Sequence, residues 1–150
     1  MKTKKLVLQN ALKIYLGIVL FFFLVKLLGL SHIVELRIVN AFFVVMGVNS
    51  CIKKNVFENL DNNYLTNLSL GFAAAFLAVL ATSFSLIFYT TVFDSSVITF
   101  MENSRFWGNN LSLGTVVFAL LAEGVASSVI CTFIVMQYWK KYKLGNLVKS

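Results

Sequence analysis

The stretch FALLAEGVASSVI, Phe118 to Ile130, is apolar enough to cross a bilayer and yet carries a carboxylate, Glu123, at its middle. It lies within a longer segment, Phe106 to Trp139, whose single Asp, Glu, Lys or Arg is Glu123. At about 1.5 Å per helical residue, a hydrocarbon layer ~30 Å thick takes roughly 20 residues, so this segment can span one. Asn62 to Phe93 holds no charged residue at all and is long enough in the same way. A third run lies between Lys13 and Glu35, interrupted by Lys26. A fourth, Ile38 to Ile52, has 15 uncharged residues. It would cover only roughly 22 Å, and it reaches full length if its helix begins near His32 and carries Glu35 and Arg37 at its outer end.

The whole chain agrees with these segments. Of its 150 residues 59% are hydrophobic and 13% charged, which is more apolar surface than one small soluble core can hide. The remainder needs lipid as its solvent. The expected fold class is therefore all-α, an integral membrane four-helix bundle forming a single domain over residues 1–150, with helices at about 12–30, 33–52, 66–93 and 111–138. The chain contains no proline, so the helices should run unbroken, unlike the interrupted half-helices of many transporters. The MKTKK start gives the first span a basic flank, but the run is long, carries Lys26 and lacks a small-residue cleavage site, so it reads as a retained helix.

The net charge of +7 is distributed as a topology signal rather than as a nucleic-acid surface. Lys2, Lys4, Lys5 and Lys13 precede or open helix one, Lys53 and Lys54 follow helix two, and Lys140, Lys141, Lys143 and Lys149 follow helix four. In a four-span chain those segments share one side. Lys26, Arg37 and Arg105 fall toward the other. An excess of basic residues marks the cytoplasmic side, so both termini are expected there. Tyr138, Trp139 and Tyr142 at the inner boundary, with Phe106 and Trp107 at the outer one, read as interfacial aromatic belts. The inner connection, Lys53 to Asn67, spaces Phe57, Leu60 and Tyr64 by three and four, which suits an amphipathic turn on the membrane surface. In the outer connection, Asp94, Ser95 or Ser96 can cap a short interfacial helix that Gly108-Asn109-Asn110 then ends.

The segments LRIVNAFFVVMGVNSCIKK, NNYLTNLSLGFAAAFLAVLATSFSLIFYTTVFD and LAEGVASSVICTFIVMQYWKK together resemble a domain-of-unknown-function family of small four-span bacterial inner-membrane proteins. That family has a helix-two Asn followed by a Gly and a basic loop, and a Leu-Gly-Phe-like entry into helix three. Its proline after the acidic residue at the outer end of helix three is replaced here by Ser95, after Asp94. The resemblance implies a fold and a bacterial inner (plasma) membrane location, and no activity.

Chemistry-bearing residues are sparse. There is one histidine, His32, no paired carboxylates, no His-Glu-x-x-His and no glycine-rich phosphate loop, so neither an enzyme nor a cofactor or metal is expected. Cys51 and Cys131 fall within spans and read as small packing residues. On helix four, Gly124 and Ser128 form a small-xxx-small pair, and Ala122 and Ala126 another, which lets a second helix approach closely. Glu123 and Ser127 share a face with Ile130 and Ile134 that is expected to point into the bundle. Thr82, Ser83 and Ser85 of helix three can bond back to their own helix or line a polar interior.

A charge near the bilayer centre is costly, so Glu123 is expected to meet Lys26, with Arg37 and Asn40 as further candidates for one intramembrane polar site. The rival accounts are a protonated Glu123 held by hydroxyls and a proton-binding site. Two functions follow. The first is a non-enzymatic accessory or structural membrane protein that binds membrane lipids, another membrane protein or a second copy of itself. The second is a small oligomeric transporter or channel using Glu123 as a proton or cation site.

Overall fold

The computed structural model describes residues 3–30, 38–93 and 112–140. Their order is α1 (Thr3–Leu27), α2 (Ile38–Glu58), α3 (Tyr64–Val92) and α4 (Leu113–Trp139), with every described element helical. Three helices, Thr3–Leu27, Tyr64–Val92 and Gly114–Trp139, are long and apolar enough to cross a membrane. The shorter α2, with 21 residues, ends in Lys53, Lys54 and Glu58 and is not among them.

Each boundary has a local cause. Helix α1 stops at Leu27 because Gly29 turns into the left-handed region at φ +70°. The amide of Leu30 then donates to Val25 O at 3.0 Å and that of Gly29 to Lys26 O at 3.1 Å. This pairing is the Schellman cap, which satisfies the last carbonyls. At the start of α3, Asn63 Oδ1 accepts from the amides of Leu65 and Thr66, and Ser112 Oγ accepts from Thr115 N at 3.2 Å to open α4.

Two helices begin or end elsewhere than expected. Helix α1 starts at Thr3 rather than about residue 12, because Leu6, Val7, Asn10 and Ala11 are buried against α2 and α3. Helix α2 continues past Lys53 and Lys54 to Glu58, because Ile52, Asn55 and Val56 on its inner face stay buried. Lys53 is exposed, so its ammonium loses no water. The expected start of helix two near residue 33 and the outer connection from Asp94 to Asn110 lie outside the described residues.

In cross-section the bundle is a diamond. Helices α2 and α3 touch each other and both outer helices, while the backbones of α1 and α4 make no close approach among the described residues. Glycine brings the axes together. A Cβ on Gly47 would overlap Ile14 Cγ1 of α1, and one on Gly71 would lie 3.0 Å from both Val48 of α2 and Thr132 of α4. The core formed around these contacts runs from Ile14, Val48 and Ile52 through Ala75 and Ala78 to Cys131, Val135 and Trp139. Outside it, Leu8, Leu12, Leu16, Leu20 and Leu24 form an exposed ridge on α1 that Leu28 continues just past its end, and Phe84, Phe88, Phe118 and Phe133 are exposed on α3 and α4. Apolar exposure on that scale suits a protein bathed in lipid.

Candidate functional site

The start of α1, the end of α2, the start of α3 and the end of α4 meet at one end of the bundle, where Lys4, Lys5, Lys53, Lys54 and Lys140 also lie. This basic end contains a layer of amides. Asn55, 2% exposed, donates to Asn67 Oδ1 at 3.0 Å. Asn67, also 2% exposed, donates from its Nδ2 to Asp61 O and Asn63 O, both at 3.0 Å. Asn59 donates to Asn55 Oδ1 at 2.7 Å, and Asp61 Oδ1 accepts from Asn63 N at 2.9 Å. The turn between α2 and α3 is thereby tied to both helices. Asn10 on α1 is fully buried and donates to Leu6 O at 2.8 Å. On the other flank Trp139, 6% exposed, donates its indole N–H to Asn49 at 2.8 Å and meets the ring of Phe57 edge-on.

That placement corrects two expectations. Trp139 belongs to the core rather than to an exposed aromatic belt, while Tyr138 beside it is exposed. The connection from α2 to α3 is a helix extension closed by a hydrogen-bonded turn rather than a separate amphipathic segment.

At the opposite end Lys26 projects from the last turn of α1. Its Nζ donates to the Tyr89 hydroxyl and stands 4.8 Å from the centroid of the same ring. Phe22 and Phe23 meet Tyr89 edge-on, and Phe93 stacks on it. Lys26 is thus engaged with α3. Glu123 is on α4, whose backbone makes no close approach to that of α1 among the described residues.

The remaining candidates separate likewise. Arg37 lies outside the described residues, and Asn40 is half-buried near the start of α2, its Oδ1 without a hydrogen-bond partner among the described residues. Glu123 is exposed, as are Ile130 and Ile134, so this stripe faces outward rather than into the bundle. The inward stripe is the adjacent one. Gly124 abuts α3 so closely that a Cβ would fall 2.5 Å from Val79 Cγ1, Ser128 is fully buried, and Cys131, Thr132 and Val135 continue the line. Ser127 is half-buried, with its hydroxyl 3.8 Å from Cys131 Sγ. Both cysteines are free thiols in the packed interior, as expected from their positions.

The intramembrane hydroxyls are mostly spent on the backbone. Thr82 donates to Ala78 O, Thr90 to Leu86 O at 3.0 Å, Ser128 to Gly124 O at 2.7 Å and Thr132 to Ser128 O at 2.6 Å. Such back-bonds remove a polar group from the interior without a partner helix. Ser85 is different: its hydroxyl pairs with that of Tyr15 on α1 at 2.8 Å.

Comparison with protein-family models, with curated proteins and with solved structures returns no match for this chain. Any functional reading therefore rests on the geometry itself.

Proposed function

We propose that the chain is a four-span protein of a bacterial inner membrane, with both termini cytoplasmic. In this reading it acts without catalysis, as an accessory or structural component that binds a second membrane component, either lipid or protein. The observation that carries this reading is the division of polar groups between the interior and the outer face. Thr82, Thr90, Ser128 and Thr132 bond to their own helices and Asn55 to Asn67, whereas Glu123 sits on the outward face of α4 with Ala122 and Ala126. The small residues of that face, Ala122 and Ala126, permit a neighbour in the membrane to approach α4 closely. The apolar length of α2 with the residues before it, the distribution of lysines and the resemblance to the four-span family support the fourth crossing and the orientation.

The test is purification in mild detergent. A stoichiometric partner or tightly held lipid, lost in Glu123→Leu, supports the reading. Proton flux in reconstituted vesicles that Glu123→Gln abolishes would replace it with transport.

A further inference from the structure

We propose that Lys13 of one copy of the chain pairs with Glu123 of a second copy, so that the outward face of α1 in one docks on the outward face of α4 in the next. The inference rests on the reading that the outward face of α4 binds a neighbour in the membrane, and it names that neighbour. Lys13 and Glu123 are both exposed, on the two outer helices of the diamond. Neither stands at a helix end, where a charge reaches water easily.

Their relative depth is set by α3, which packs along both. On one side Tyr15 bonds to Ser85 and Lys26 to Tyr89. Counting back two positions from the first pair and thirteen from the second places Lys13 beside residues 76–83 of α3. On the other side Gly124 abuts Val79, which puts Glu123 at the middle of the same interval. The two charges therefore lie at one level, within about a helical turn. That level is deep. Val79 has roughly 20 Å of helix on either side of it within α3, so it sits near the centre of a hydrocarbon layer ~30 Å thick. A lipid-facing charge there is costly, and Lys13 makes no hydrogen bond or ion pair among the described residues.

Charge selects the occupant. Hydrocarbon tails carry no charged group at this depth, so a counter-charge for Lys13 comes from protein, and this chain itself carries one at the matching level. Copies inserted with one topology stand parallel in the bilayer. In that arrangement α1 on α1 would set Lys13 against Lys13, and α4 on α4 would set Glu123 against Glu123. Only α1 on α4 joins opposite charges. The surfaces beside the pair suit each other as well: Leu16 and Leu20 follow Lys13 by three and seven positions on the exposed ridge of α1, whereas exposed Ala122 and Ala126 flank Glu123. Bulky side chains of one helix thus meet small ones of the other, and the backbones can come close. A carboxylate accepts several donors, so Glu123 can take the ammonium of a neighbour together with bonds made inside its own chain. Because the two faces lie at opposite corners of the diamond, the contact is heterologous, and each copy offers α1 to one neighbour and α4 to another.

The experiment is disulfide cross-linking in native membranes between two differently tagged copies of the full chain, one with Leu16→Cys and the other with Ala122→Cys, Lys13 and Glu123 being intact in both. These positions flank the pair, and the native Cys51 and Cys131 are buried. On oxidation we expect the mixed dimer, little of either same-variant dimer, and none from the unsubstituted chain. Lys13→Met in the first copy should cut the mixed dimer by about tenfold, as for loss of a hydrogen bond to a charged group. Glu123→Gln in the second should act in the same direction, and Lys13→Arg, which keeps the charge, should retain the dimer. Same-variant dimers in place of the mixed one, a mixed dimer that Lys13→Met or Glu123→Gln leaves undiminished, or a chain that stays monomeric overturns the proposal. A different protein or a lipid that co-purifies and is lost in Glu123→Leu then leaves the partner-binding reading standing, whereas the absence of any such component ends both.

Discussion

At the scale of single residues, the most exacting test is the contact between Gly124 and Val79. A Cβ at residue 124 would lie 2.5 Å from Val79 Cγ1, and the valine is β-branched and stiff. Gly124→Leu should lower stability by about 1 to 3 kcal/mol through overpacking. Ser128→Leu should do the same, since Ser128 is fully buried. Thermal unfolding in detergent reads both, and an unchanged midpoint would place the stripe against lipid. Lys26 provides a second test. Because Lys26 donates to Tyr89 and the backbones of α1 and α4 make no close approach among the described residues, Lys26→Met and Glu123→Gln should act additively to within about 0.5 kcal/mol, whereas Lys26→Met and Tyr89→Phe should not. The presence of Gly124 and Ser128 at a helix contact was legible from their spacing alone. The direction of Glu123 was not. A polar residue in a membrane helix is expected to face inward, but the small stripe one step round α4 gives closer helix packing, and that contact fixes the rotation of the helix.

Among the elements, the helices themselves were legible because long uncharged runs without proline leave little alternative. Their ends at the basic side were not, because flanking lysines look like the edge of a span. Lys53 and Lys54 follow the apolar run of α2, yet Ile52, Asn55 and Val56 carry the buried face onward. The asparagine layer was illegible for a different reason. Asn55 and Asn67 are 12 positions apart on two helices, and only the turn between them makes them partners. That turn has a cost of its own. Leu60 adopts φ 53° while its side chain is 69% exposed, and a left-handed conformation costs a non-glycine residue ~1 to 2 kcal/mol. The asparagine bonds on either side hold it there. Leu60→Gly should therefore raise stability by about 1 kcal/mol in thermal or denaturant unfolding. Asn67→Ala should lower it by ~1 to 3 kcal/mol, because the buried Asn55 amide then loses its acceptor. A neutral Asn67→Ala would show that water reaches the layer.

For the whole molecule the decisive feature is that both outer helices of the diamond bring their chain ends to the same end. The start of α1 packs through Leu6 and Val7 against Cys51 and Leu70, and the end of α4 packs through Trp139 against Asn49 and Phe57. If α1, α3 and α4 cross a bilayer, these contacts require α2 to return the chain across it, since α1 and α3 both run away from the basic end. The crossing of α2 then follows from its neighbours rather than from its own hydropathy, which Lys53 and Lys54 lower. Its apolar part is short, and the half-buried Asn40 lies near its start, so packing against α1, α3 and α4 must supply what lipid affinity does not. Reporter fusions after residue 150 and between 97 and 108 should accordingly report opposite compartments, with the C-terminal reporter cytoplasmic because the lysines gather at that end. The same compartment for both would mean that α4 does not cross. If instead α2 lay along the membrane, its contacts at Gly47 and Gly71 would have to be absent in the bilayer. A cysteine introduced at Met46, which is exposed on α2, distinguishes the two arrangements: a spanning α2 shields it from a membrane-impermeant thiol reagent on both sides, and a helix lying at the surface leaves it open to modification from one.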